Sequence, residues 1–116
     1  MKEALSWSDA NAACLAAGME LASVHSDEEN ALLLTAAAGN TVWIGGTEDA
    51  ASQGTWVWSP SGTPLSYKNW ANGMPDNQGG MQDCLAFNYQ LYYTNTGKWD
   101  DQTCTSTQYY VCQIPL

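Results

Sequence analysis

Thr41-Val42-Trp43-Ile44-Gly45-Gly46 is the stretch at which the chain changes character. It reads as a buried strand, an apolar run closed by two glycines, and no helical period appears after it. Upstream the pattern is helical. Ser6 or Ser8 can cap a helix through Asp9, Ala10, Ala12, Ala13, Cys14, Leu15 and Ala17, with Gly18 as its stop. Ser26-Asp27-Glu28-Glu29 is a capping box with acids in the first turn, and it opens a second helix through Leu32, Leu33 and Leu34 towards Gly39. Downstream the segments are short. Thr55-Trp56-Val57-Trp58 alternates and runs into the turn Ser59-Pro60-Ser61-Gly62, and strand character returns at 84–89 and 108–112. Two helices followed by short strands predict an α+β fold. Between about residues 68 and 81 lies a loop rich in Asn, Gly, Pro and Asp, long enough to point to function rather than connection.

At 116 residues the chain suits one domain spanning 1–116. Six tryptophans and six tyrosines against one phenylalanine imply a core wired with hydrogen bonds, or an aromatic binding surface. Twelve acidic residues face only three lysines (Lys2, Lys68 and Lys98), and there is no arginine. Nothing could neutralise phosphates, so nucleic acid is excluded as a partner, and attraction to an anionic membrane fails for the same reason. An acidic surface favours solubility. The sharper expectation is that some carboxylates repel one another until a divalent cation relieves them.

Cys14, Cys84, Cys104 and Cys112 form no C-x-x-C pair, which argues against a thiolate zinc site or a redox pair. An even count in a small chain suggests disulfides and an oxidising compartment, with three pairings open on arithmetic alone. The longest apolar run falls far short of the roughly 20 residues that span a bilayer, so no membrane insertion is expected. Met1 is expected to stand where a leader was removed.

Calcium takes about 6–8 hard oxygen ligands. Residues 74–101 offer Asp76, Asn77, Gln82, Asp83, Asp100 and Asp101 without a histidine among them, and such a set serves calcium better than softer metals. Asp and Asn are also ordinary turn residues, so composition alone does not make a site. An enzyme is not expected: one histidine (His25, a surface or capping-loop residue), with no free cysteine or lysine-rich pocket, makes no nucleophile–base–orienter set. Adjacent Asp100 and Asp101 cannot straddle a glycosidic bond.

Several motifs in order resemble the C-type lectin-like family across the whole chain. Ser6-Trp7-Ser8-Asp9-Ala10 before Cys14 is similar to its first-helix signature. Trp43-Ile44-Gly45-Gly46 is similar to its W-I-G-L strand, with glycine where leucine is usual, and Trp56-Val57-Trp58 with Gly62 to its W-x-W-x-x-G element. Asn69-Trp70, Met74-Pro75-Asp76, Asp83-Cys84, Trp99-Asp100-Asp101 and Cys104 follow in the family's order. The resemblance implies a secreted fold of two helices packed on short antiparallel sheets, with an irregular long-loop region. It also implies disulfides Cys14–Cys112 and Cys84–Cys104. Trp7, Trp43, Trp56 and Trp70 are then core, Trp99 positions the acids after it, and the shortened opening strand leaves thin pairing near the termini.

For the site, the resemblance implies calcium ligands at Asp76, Gln82, Asp100 and Asp101, and a cis Met74–Pro75 bond. Sugar-binding relatives carry glutamate or glutamine where Met74 stands, and a thioether serves neither metal nor hydroxyl well. Ligand contacts are expected from Met74, Asp76, Asn77, Gln82 and Asp100. Asp76 gives a lean towards galactose-type sugars, weakened because Asn77-Gln78-Gly79-Gly80 supplies no aromatic ring. An auxiliary calcium site would map to Asp49, Gln53, Asn77, Gln82 and Asp83, and is expected to be weak or absent. The implied function is calcium-dependent glycan binding, as in innate immune recognition of microbial cell surfaces. The alternative is a protein-recognition domain of the same fold that chelates no sugar.

Overall fold

The computed structural model describes residues 3–38, 40–48, 55–59, 61–70, 84–88 and 97–114. Helix α1 spans Trp7–Ala16, with Ser6 as its cap: the Ser6 hydroxyl accepts from the Asp9 amide at 3.3 Å. Its buried residues are Ala10 and Cys14, four apart and so on one face. It closes as expected at Gly18, whose φ of +75° suits a residue without a Cβ. After strand β1 (Glu20–Leu21) comes helix α2, Asp27–Ala37. Ser26 caps it, and Glu29 reaches back to accept from the amide of His25 at 2.8 Å. This helix stops one residue earlier than expected, at Ala38, which itself takes the left-handed conformation at φ +52°.

Strand β2 (Val42–Glu48) is the centre of the larger sheet. Strands β3 (Trp56–Trp58), β4 (Thr63–Pro64), β5 (Cys84–Phe87), β6 (Trp99–Gln102) and β7 (Tyr109–Tyr110) complete that sheet, and β8 (Cys112–Gln113) pairs with β1 in a second one. The order is β4-β3-β2-β5-β6, with antiparallel neighbours, and β7 lies parallel to the start of β2. The stretch 108–112, expected as one strand, is divided between β7 and β8, and these serve different sheets. Among the described residues, pairing near the termini is thin: a single bridge joins Leu5 to Gln108, and β1 and β8 share two residue pairs.

Both faces of β2 and β5 are buried, which is why these strands read as continuous apolar runs. Val42, Ile44, Leu85 and Phe87 join one core with Leu33, Ala37, Trp58 and Trp99. Trp43, Cys84 and Ala86 join the other with Ala10, Cys14 and Leu21. Two of the indoles are wired to the backbone. The Trp43 ring N–H donates to the Leu5 carbonyl and that of Trp7 to Ile44, each at 2.9 Å. Trp43 and Trp56 are buried and Trp7 and Trp70 half-buried, while Trp58 is buried as well. Two disulfides, Cys14–Cys112 and Cys84–Cys104, close the fold with the pairing that the resemblance implied.

The glycine at position 46, where the resemblance leads us to expect leucine, has a physical reason. A Cβ there would lie 2.4 Å from Leu85 Cδ2 and 2.9 Å from Leu85 Cβ. Leu85 on the neighbouring strand fills the space. Gly46→Ala is expected to cost about 1–3 kcal/mol by overpacking. In a Leu85→Ala background the clashes with Cγ and Cδ2 go and only the one with Cβ stays, so the same change should cost less. A double-mutant cycle by urea denaturation measures the coupling, and strict additivity would refute the packing account.

Candidate functional site

The described part of the candidate site is built where β5 and β6 meet. Their register sets Phe87 against Trp99, Ala86 against Asp100, Leu85 against Asp101 and Cys84 against Gln102. Trp99 packs in the same core as Leu85 and Phe87. The Gln102 amide donates to the Asp100 carboxylate. Asp100 is 3% exposed and Asp101 fully buried, and β6 lies at one end of the strand order. Burying two adjacent carboxylates is costly unless hydrogen bonds or a cation compensate them.

Trp99 anchors this pair. Its ring is fully buried and meets the rings of Trp58 at 5.6 Å and of Tyr67 and Trp70 at 5.9 Å, each edge-to-face. Tyr67 in turn donates to Asp27 at the start of α2, at 2.6 Å. That hydrogen bond, ahead of burial and the nearby charges of Asp27 and Glu28, pushes the Tyr67 phenol up to about 12. The neutral, donating form is thus favoured well above the ordinary phenol range.

An amide network surrounds the approach to Trp99. Asn30 donates to the Gly97 carbonyl at 2.8 Å and accepts from the Trp99 ring N–H at 3.0 Å. Asn69 donates to the same carbonyl at 2.7 Å, and its side-chain oxygen accepts from Lys98 at 3.0 Å. Asn88 accepts from the Gly97 amide at 2.9 Å and donates to the Asn40 carbonyl at 3.2 Å. Sequence reasoning passed over Asn30 and Asn88. A signal for Asn30 was present, since it shares a helical face with Leu33 and Ala37, the buried residues of α2. An asparagine in an apolar stripe is there for its hydrogen bonds.

Of the residues expected in the site, Asp100 and Asp101 are thus adjacent and buried. Met74, Asp76, Asn77 and Gln82 lie outside the described residues, as do Asp49, Gln53 and Asp83 of the auxiliary site and the Met74–Pro75 bond. Among the described residues no group of three or more His, Cys, Asp or Glu side chains could hold a metal. All four cysteines are disulfide-bonded, which leaves no thiolate ligand. His25 sits just before α2, within 3.0 Å of the Ser23 hydroxyl and with its ring edge-to-face on Trp58. No helix among the described residues is long and apolar enough to cross a membrane.

Comparison with known proteins agrees with this architecture. Lectin BRA-3 of Megabalanus rosa is 35% identical over 95% of the chain, and ladderlectin of Oncorhynchus mykiss is 37% identical over 90%. The chain spans 65% and 54% of the length of those two relatives. Among solved structures, the cow CD23 carbohydrate-recognition domain, determined in the presence of an oligosaccharide, superposes with a TM-score of 0.81. It is 33% identical, and the match covers 94% of this chain and 79% of that one. A calcium-independent type II antifreeze protein superposes at 0.80, 30% identical, over 95% of this chain and 78% of its own. With the Lectin C-type domain model matching residues 3–114, the same ordered motifs, two helices and two disulfides place the chain in the C-type lectin family.

Proposed function

We propose that the chain is a calcium-dependent carbohydrate-binding module of a secreted protein, with glycans of microbial cell surfaces as its ligands. The observation that carries this reading is the buried pair Asp100–Asp101, set directly after an anchored Trp99 on the strand at one end of the strand order. Asp76, Gln82, Asp100 and Asp101 would hold the ion, a set of hard oxygens that suits calcium. When bound, calcium supplies a positive centre to which neighbouring sugar hydroxyls can add as ligands. Side chains of Asp76, Asn77, Gln82 and Asp100 would exchange hydrogen bonds with those hydroxyls, and Asp76 carries the lean towards galactose-type sugars. A shallow polar site competes with water, so single-site binding is weak and multivalency supplies the avidity.

Met74 favours a second reading, in which the fold recognises a protein and chelates no sugar. Similarity to a calcium-independent structure is consistent with it. Elution tells the two apart: release from an immobilised sugar by EDTA supports the first, and EDTA-insensitive capture of a protein supports the second.

Calcium at about 100 times its Kd should stabilise the fold by about 2.7 kcal/mol, or roughly 10 °C in Tm. Asp76→Ala and Asp101→Ala should each remove most of that shift, whereas Asp49→Ala should remove little. Differential scanning calorimetry with and without calcium provides the measurement, and a glycan array under the same two conditions identifies the sugar. Absence of any calcium binding at millimolar concentration would leave this reading without a mechanism.

A further inference from the structure

We infer that Asn30, on α2, is a positioning residue for the ion site, an inference that rests on the calcium reading above. Its side chain is 9% exposed and uses both ends of the amide on one short segment. Nδ2 holds the Gly97 carbonyl and Oδ1 holds the Trp99 indole N–H. Asp100 and Asp101 follow Trp99 with no residue between, so whatever fixes Trp99 fixes where those carboxylates leave the strand. Gly97 takes a φ of +72°, a conformation that suits glycine and turns its carbonyl-bearing segment into Trp99.

Other groups hold the same segment from other directions. Asn69 shares the Gly97 carbonyl, and its own carbonyl accepts from the Trp99 amide at 2.9 Å. Asn88 takes the Gly97 amide. Asn30 is distinct in reaching the indole ring as well as the backbone, and in doing so from a helix. It therefore ties the rigid α2 to the strand that carries two of the four proposed ligands. A planar amide is suited to this task because its donor and acceptor are fixed with respect to each other. An aspartate would lose the donor, and an aliphatic residue would lose both.

The test compares Asn30→Ala with Leu21→Val, a substitution in the other core chosen to lower the metal-free Tm without touching Trp99. Calcium is titrated calorimetrically into each, and the Asp100 and Asp101 amide resonances are recorded in EDTA. Asn30→Ala is expected to weaken calcium binding by about 10-fold, the lower end of the range for groups that bond a metal ligand directly, because Asn30 acts through Trp99. Leu21→Val should leave the affinity unchanged. Equal affinities in the two variants, with the Asp100 and Asp101 resonances no more displaced by Asn30→Ala than by Leu21→Val, would overturn the assignment and leave Asn30 a stability residue. If the parent protein binds no calcium, the functional reading fails first, and the resonances in EDTA then decide the positioning role alone. Asn30→Ser, which keeps a small polar group, replaces Asn30→Ala if the latter does not fold.

Discussion

Replacing Cys14 and Cys112 together by alanine is expected to cost about 4–5 kcal/mol, and replacing Cys84 and Cys104 roughly 3 kcal/mol. The difference follows from chain entropy in the unfolded state, since the bridges close loops of 98 and 20 residues. The comparison is well controlled by burial. Each bridge joins one buried sulfur residue, Cys14 or Cys84, to one half-buried partner, Cys112 or Cys104, so the lost packing is similar. Against the 5–15 kcal/mol typical of whole domains, the larger loss takes a large share of stability. Guanidinium denaturation of the two double variants measures both. Equal losses, or the reverse order, would show that native packing around β5 outweighs loop entropy.

The helices were legible because their signals are local. Ser6 and Ser26 each cap through an amide three residues on, and Gly18 ends α1 through its own φ. Strands β2 and β5 were legible because both of their faces are buried, which leaves an unbroken apolar run. Strands β1, β4 and β6 carried no such mark. The first two have two residues each, too short for any period, and β6 is Trp-Asp-Asp-Gln, a composition that argues against a strand. Its carboxylates are tolerated there because tertiary context, not propensity, decides this strand.

The site was legible in part for a different reason. Asp100 and Asp101 were singled out by a family resemblance, and their burial adds a physical argument that the sequence lacked. The network behind them was not foreseen. The hydrogen bonds from Asn30 to the Gly97 carbonyl and from the Trp99 ring N–H to Asn30 join positions 67 and 69 residues apart, and no local pattern encodes such a pairing. Leu85 and Gly46 make the same point from packing. A glycine in place of leucine reads as a weakened motif until the neighbouring strand is seen to fill the space.

Trp99→Ala is expected to be among the most damaging single substitutions in the chain, at about 3–5 kcal/mol. The ring is fully buried, so its removal leaves a cavity at the centre of three edge-to-face contacts, with Trp58, Tyr67 and Trp70. It also strips Asn30 Oδ1 of the indole donor it accepts from. Trp99→Phe separates the two effects, because it keeps a ring and removes the N–H. Leaving a buried acceptor without its donor costs about 1–3 kcal/mol, so the phenylalanine variant should lose part of the alanine variant's total. Pairing Trp99→Phe with Asn30→Ala in a double-mutant cycle, read by denaturant midpoints, should then show strong coupling, since each change removes the same hydrogen bond. Additive losses would mean that the indole N–H contributes nothing through Asn30. The indole would then give α2 no effective hydrogen-bonded hold on Trp99, and the position of Asp100 and Asp101 would rest on ring packing, the Asn69 carbonyl and the β5–β6 ladder.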